Sequence, residues 1–407
     1  MMPRRIEHLL KRWFVTPSSG LHLDVADGLR GLAILVVVCS HGFYFNPDGP
    51  RLFAVVGSFI GTGWVGVPIF FVLSGFLLSL PFFRKRSQNS GTWYVRGYIT
   101  RRCLKIFPPF YLAILVLAIF YYYRYRDPGY FRIGAAWASG LAHFIYYPRY
   151  FNTSFWSLWV EVGFYVVLPL LFLVSRRASL RTSAWIMFTL LMVAPCVARF
   201  LSWPSGVSEG ELAFFIRRFP GSLTNFAWGL LFAFIYVTKS REPERWRSLR
   251  AVGYLGSLLL LLSCSYFAFR AYHASPGAVS SRLDIELQQF LPGLSAFLML
   301  FFVFDSECSG ARVFCSPLFR FLGIVSYEWF LFHQPAQFQF REWFGSSGGS
   351  MIRFLFIVIT PSLLTLSFAA FVYHRFSLPI LQWGRAKVSS APVTSPLPAK
   401  ELSSCPQ

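Results

Sequence analysis

The sequence predicts an all-α, polytopic integral membrane protein of about ten transmembrane helices around a central cavity, with both termini cytoplasmic. Three observations predict this class. The chain of 407 residues is 55% hydrophobic and 19% aromatic, with only 14% charged residues, and its mean hydropathy is positive; soluble domains carry more charge and less apolar residue. Apolar runs long enough to enter a bilayer recur along its whole length. Most of the 38 Lys and Arg lie in alternate connections: residues 1–30, 84–105, 175–182, 239–250, 306–320 and the tail. With the N-terminus inside, that skew is the positive-inside pattern. The net charge of +21 therefore reports orientation, and no nucleic-acid partner is expected.

The elements follow in order. Residues 1–26 form a cytoplasmic segment whose basic residues interleave with Ile6, Leu9, Leu10, Trp13 and Phe14, the pattern of a helix lying on anionic lipid. It has no apolar region of signal-peptide type, so no cleavage is expected. The membrane domain occupies 27–375, with spans near 29–46, 55–82, 106–123, 156–174, 183–203, 221–238, 251–271, 290–305, 321–340 and 351–373. The second run is longer than one crossing needs, and its GSFIGTGWVGVP start reads as a loop or a broken helix packed inside protein. The third span starts at the pair Pro108-Pro109. The stretch 133–147 is a weaker apolar run, read as a helix on the outer surface. The tail, 376–407, ends in a Pro- and Ser-rich sequence too polar to pack and is expected to be cytoplasmic and disordered. None of the seven cysteines falls in an outer loop, so no disulfide framework is implied. No zinc-ligand spacing, Gly-rich phosphate loop or fixed-period repeat occurs, and no metal is expected.

Chemistry is sought among ionisable residues inside the spans, where each must be compensated or useful. Arg30 and His41 share the apolar stretch LRGLAILVVVCSH. Eleven helical steps of about 100° close to within roughly 20° of a full turn, so both side chains face one way, about 16 Å apart along the axis. A guanidinium at the membrane edge and an imidazole deep in the span suggest group transfer inside the membrane. A neutral imidazole, with an ordinary pKa of about 6.5, suits a general base. Asp27, three residues before Arg30, is placed to form a structural pair with it. Arg101, Arg102 and Lys105 offer cations to a phosphorylated ligand, or simply flank a span. Glu161 lies roughly 7 Å inside the fourth span, beside Trp156, Trp159 and Tyr165, which line a cleft for a sugar or acyl group or else belong to an aromatic belt. His333 precedes Pro335, which frees a helix carbonyl. Glu328 has no evident role, and Ser74 beside Gly75 reads as a packing residue.

Five segments in order resemble one family. LDVADGLRGLAILVVVCSH, GWVGVPIFFVLSGFLL, YITRRCLKIFPPFYL, FWSLWVEVGFYVVLPLL and LGIVSYEWFLFHQP are similar to the acyltransferase 3 family of polytopic bacterial O-acyltransferases, across about residues 22–375. The resemblance implies an acyl-CoA co-substrate bound from the cytoplasm, no bound cofactor, and transfer to a hydroxyl of a cell-surface or lipid-linked carbohydrate in the inner (plasma) membrane. Its Arg-ten-residues-His motif falls on Arg30 and His41, with His41 catalytic. Its basic motif falls on Arg102 and Lys105, where Lys105 replaces an Arg and loses bidentate geometry. The family's paired acidic residues reduce to Glu161 followed by Val162, and its His-Trp-Pro motif reads His333-Gln334-Pro335.

These readings together place acyl-CoA on Arg101, Arg102 and Lys105, with Arg30 guiding its thioester arm, His41 and Glu161 as catalytic residues, and Trp156 and His333 at the substrate. No soluble module follows the last span, so transfer is expected within the membrane domain or with a separate protein. Direct transfer and an acyl-His intermediate both remain open. The alternatives are acylation of a macrolide-like small molecule and a proton-coupled transporter in which His41, Glu161 and His333 relay protons.

Overall fold

The computed structural model describes residues 24–42, 51–87, 95–143, 151–201, 219–239, 243–273, 282–305, 309–345 and 351–389. Among these every regular element is helical, and the chain is an all-α polytopic membrane protein. Its helices are α1 (Asp24–Gly42), α2 (Arg51–Gly61), α3 (Gly66–Ser87), α4 (Val95–Tyr125), α5 (Gly129–Ser139), α6 (Trp156–Val174), α7 (Leu180–Leu201), α8 (Thr224–Lys239), α9 (Pro243–His273), α10 (Arg282–Val303), α11 (Pro317–Ile324), α12 (Ser326–Phe344), α13 (Met351–Val372) and α14 (Leu378–Ser389).

Among the described residues, eight stretches are long and apolar enough to cross a membrane: Asp24–Gly42, Val55–Ser87, Gly97–Tyr125, Thr153–Val174, Leu180–Leu201, Ser248–His273, Leu283–Val303 and Phe356–Gly384. The expected runs at 221–238 and 321–340 also form helices, α8 and α12, but stand apart from these eight. The first has only 16 residues, short of the roughly 20 that span hydrocarbon. The second buries Glu328, His333, Gln334, Gln337 and Gln339.

Other boundaries differ from the sequence reading for physical reasons. The second run is a broken helix: α2, a 3₁₀ turn at Thr62–Val65, then α3. Its turn is buried at Thr62, Gly63 and Val65, so the irregular backbone is enclosed by protein. Helix α4 does not start at Pro108-Pro109 but runs through them, and the Tyr327 hydroxyl donates to the Ile106 carbonyl just before them at 2.8 Å. Helix α5 covers part of the 133–147 stretch. Within the tail read as disordered, residues 378–389 form α14, whose Gly384 approaches Leu104 of α4. Residues 1–23 of the N-terminal segment and 390–407 of the tail lie outside the described residues. Cys315 is disulfide-bonded, against the expectation of no bridge, because pairing depends on Cα approach that spacing alone does not encode.

Helix crossings with the backbones in contact recur through the bundle. A Cβ built on Gly31 or Gly323 would strike the Phe319 or Asp27 carbonyl oxygen, and one on Gly28 that of Phe314 just before α11, so α1 meets α11 and the turn leading into it with no side chain between them. Helices α3 and α8 do the same, with Gly75 against the Phe226 carbonyl and Gly229 against that of Val72. Close approach through small residues is how helices associate where no hydrophobic drive separates protein from lipid. Charges near the helix ends are paired: Arg320 with Asp24 at 2.8 Å and Arg250 with Asp305 at 2.7 Å at the basic end, Arg199 with Glu286 at 2.5 Å and Arg270 with Asp284 at 2.7 Å at the other. Arg86 donates to the Ser175, Arg176 and Ala178 carbonyls, tying the end of α3 to that of α6.

Gly323→Val should therefore destabilise the protein by at least about 1–3 kcal/mol, the usual cost of overpacking, because the obstacle is backbone. Gly61 has helical dihedrals and nothing within 4 Å of a built Cβ, so Gly61→Ala should be neutral or stabilising by up to roughly 1 kcal/mol. Thermal unfolding of the two purified variants in detergent checks both.

Candidate active site

Helix α1 carries two of the candidate residues. Arg30 and His41 are both partly exposed on it. The His41 Nδ1 lies 3.0 Å from the Val37 carbonyl of its own helix and 3.3 Å from the His333 Nε2 of α12. The two rings meet edge to face, with centroids 5.1 Å apart and planes at 63°. His333 is 0% exposed, and its Nδ1 faces the carbonyls of Trp329 at 3.2 Å and Phe330 at 2.9 Å. The structure thus places His333 beside His41, enclosed by other residues, a depth that the sequence motif did not give.

Helix α12 reaches this position through polar contacts from elsewhere in the chain. Pro335 lacks the N–H that would bond the Leu331 carbonyl, and the Asn152 Nδ2 donates to that oxygen at 2.9 Å. The adjacent Gln334 Oε1 accepts from the Ser154 amide at 3.1 Å, the Ser154 hydroxyl at 2.9 Å and the Thr153 hydroxyl at 3.0 Å. Asn152 also accepts from the Ser154 amide at 3.0 Å. These three residues lead directly into α6, so one short segment locks α6 to α12. One turn further, the Gln337 Nε2 donates to the Val38 carbonyl of α1 at 3.0 Å and to the Ser362 hydroxyl of α13 at 3.1 Å. Asn152, Thr153, Ser154 and Gln337 were not singled out in the sequence. The one available signal was Pro335, which announces an orphan carbonyl without saying who answers it.

On α6, the Glu161 Oε1 accepts from the Ser74 hydroxyl at 2.9 Å and the Tyr165 hydroxyl at 2.8 Å. Ser74 is therefore a ligand of the intramembrane carboxylate as well as a packing residue. Lys105 of α4 shares its electrostatic surroundings with Arg30, Arg102, Glu161 and Asp27. Glu328 of α12, 3% exposed, is within reach of Lys105 and Arg30. Four helices thus bring one charged cluster together. Arg101 does not share its placement: it is exposed while Arg102 and Lys105 are partly buried. Trp156 is partly buried with its ring edge to face on Phe71 at 6.0 Å. Trp159 donates from Nε1 to the Trp137 carbonyl at 3.2 Å and lies over Gly140, where it fastens α5 to α6. No group of three or more His, Cys, Asp or Glu among the described residues is placed to hold a metal ion.

The profile of the acyltransferase 3 family, described as an acyltransferase domain, matches residues 24–374, and the chain belongs to this family. It is 26% identical over 336 residues to the putative peptidoglycan O-acetyltransferase YrhL of Bacillus subtilis, covering 76% of this chain and 48% of that protein. It is also 26% identical over 181 residues to the peptidoglycan O-acetyltransferase OatA of Listeria monocytogenes, covering 40% of this chain and 26% of the relative. With the acyltransferase MdmB of Streptomyces mycarofaciens it shares 26% over 245 residues, 54% of this chain and 59% of the other. The chain spans less than two thirds of the length of each of these relatives. No solved structure matches it.

The lock between α6 and α12 generates a direct test. Asn152→Ala leaves the buried Leu331 carbonyl without its donor and should cost about 1–3 kcal/mol. Thermal unfolding in detergent reads that loss, which Thr153→Ala, removing a hydroxyl from a more exposed position, should not reach.

Proposed function

We propose that this protein is a membrane O-acyltransferase that moves an acyl group from cytoplasmic acyl-CoA to a hydroxyl of a cell-surface or lipid-linked carbohydrate, with His41 as general base. The observation that carries this reading is the convergence of Arg102, Lys105 and Glu161 on Arg30 in one charged cluster, Arg30 being on the same helix that presents His41. Family membership supports the acyltransferase chemistry. Two relatives named as peptidoglycan O-acetyltransferases support an acetyl group and a glycan acceptor.

In this reading the basic end faces the cytoplasm of a cell bounded by its plasma membrane. The phosphates of acyl-CoA dock on Arg102 and Lys105, with Arg101 at the exposed rim, where charge-assisted hydrogen bonds are strong. Lys105 acts as a point charge rather than a bidentate fork. Arg30 sits between this dock and the imidazole, separated from His41 by about 16 Å along α1, and steers the thioester arm toward it. The charged end of the donor thus stays near water while its reactive end enters a dry site. Both donors to Glu161 bond Oε1, which leaves Oε2 to orient the acceptor hydroxyl.

The reaction is a single displacement. The acceptor oxygen attacks the thioester carbonyl carbon while His41 takes its proton. The new C–O bond forms, the C–S bond breaks, and the proton passes from His41 to the departing thiolate, giving the O-acyl ester and free CoA. Trp156 flanks the acceptor as an apolar wall.

His41→Ala should lower acyl transfer from labelled acyl-CoA by about 10²–10⁴-fold, the range of general-base catalysis, with unchanged expression. Retained activity would remove His41 from the chemistry. Lys105→Met should raise the KM for acyl-CoA by roughly ten- to a hundredfold, as for loss of a charged hydrogen bond, with a smaller effect on kcat. Release of CoA by the purified protein with a hydroxyl acceptor separates this function from a proton-coupled transporter, which releases none.

A further inference from the structure

We propose that His333 is the positioning residue of His41: its Nε2 accepts the hydrogen bond from the His41 Nδ1–H and so keeps the catalytic lone pair of His41 on Nε2. The inference rests on the reading of His41 as base and adds to it the group that orients the base.

A carbonyl oxygen accepts hydrogen bonds and cannot donate them. The His333 Nδ1 faces two such oxygens, those of Trp329 and Phe330, so that nitrogen carries a hydrogen. His333 has no exposed surface, and among the described residues no carboxylate forms an ion pair with it. An unpaired charge in such a place is strongly disfavoured, so the ring is neutral and holds one ring proton. Its Nε2 is therefore bare and needs a donor. The His41 Nδ1 at 3.3 Å supplies it.

His41 gives the same answer from its own helix. Its Nδ1 also lies 3.0 Å from the Val37 carbonyl, a second acceptor on the same nitrogen. The opposite tautomer would turn the Nδ1 lone pair toward two other lone pairs. The hydrogen bond made by one ring nitrogen decides which form the other takes, and here both partners choose Nδ1–H. Neutral His41 then offers Nε2 to the acceptor hydroxyl, and protonated His41 keeps its Nδ1–H on the same two acceptors. His333 thereby fills the place of the third group in a nucleophile–base–orienter arrangement.

The position of His333 is itself enforced. Its Nδ1 is held by the preceding turn of α12, Asn152 satisfies the carbonyl that Pro335 exposes, and Gln337 joins the next turn to α1. None of these contacts touches His41, so the ring pair is set by the helix rather than by a flexible side chain.

The test uses the full chain, reconstituted in lipid with ¹⁵N-labelled histidine rings, the His41 signals being assigned by their loss in His41→Asn. In the wild type His41 should show a protonated Nδ1 and a bare Nε2; a protonated Nε2 in the neutral ring overturns the proposal whatever the variants do. His333→Leu should weaken that preference and lower kcat by about 10–100-fold, with the KM for acyl-CoA within roughly twofold. This is less than the roughly 10⁴-fold loss seen when a charged orienting group is disabled, since the Val37 carbonyl remains. His333→Gln, whose carbonyl oxygen can accept in place of Nε2, should recover most of the loss. An unchanged His41 tautomer in His333→Leu, or a Gln variant no better than Leu, overturns the proposal. The ring signals are read without turnover, so an active His41→Ala protein would reject the catalytic role of His41 while leaving the tautomer result to stand by itself.

Discussion

The constraint on which this structure depends is that every polar group placed among lipid-spanning helices must find its partner inside the protein. Helix α12 concentrates the problem, with Glu328, His333, Gln334, Gln337 and Gln339 buried on it and Pro335 breaking its hydrogen-bond ladder. Three of these demands are answered from far away in the chain: the Leu331 carbonyl by Asn152, Gln334 by Thr153 and Ser154, and the Gln337 amide nitrogen by α1 and α13. Since an unanswered group is costly in such surroundings, these contacts specify one relative placement of α1, α6, α12 and α13. A bundle held by apolar packing alone would tolerate sliding that this one does not.

That rigidity explains how two dissimilar environments coexist on α1. Toward the basic end, Arg30 joins Lys105, Arg102, Asp27, Glu161 and Glu328 in a cluster where cations and carboxylates offset one another. About three turns onward the same helix offers a single imidazole whose described partners are a backbone carbonyl and another imidazole. The division suits a donor that is charged at one end and a reactive thioester at the other.

Much of this was legible in the sequence, and the parts that were not share a cause. The shared face of Arg30 and His41 follows from helical periodicity, and the broken second span from its Gly-rich start. Local geometry fixes both. Exposure differs along the basic segment as well, Arg101 being exposed and Arg102 and Lys105 partly buried, a difference that spacing alone does not report. What the sequence withheld is depth and pairing across the bundle. Ser74 looks like a small packing residue and is a ligand of Glu161, 87 residues away. Trp159 looks like a cleft or belt residue and is a structural strap. His333 looks like a substrate contact and is enclosed. Composition along one helix cannot report such partners, because they are chosen by crossings such as Gly28, Gly31 and Gly323 at α1 and α11.

The choice of a second histidine behind the base, rather than a carboxylate, has a physical rationale in this setting. A carboxylate orients an imidazole strongly, but in the resting enzyme it is a buried anion beside a neutral ring, with nothing to balance it and a large desolvation cost. A neutral imidazole fixes the same tautomer through the same kind of hydrogen bond and places no net charge in the membrane while the site waits. Charge then appears only when His41 accepts a proton, and it lasts until the thiolate leaves with that proton. The cations and anions of the basic end are kept for the donor, where they already neutralise one another. The arrangement gives up some stabilisation of the imidazolium and gains a resting state that the bilayer tolerates, which fits a base that works once per turnover and is idle between.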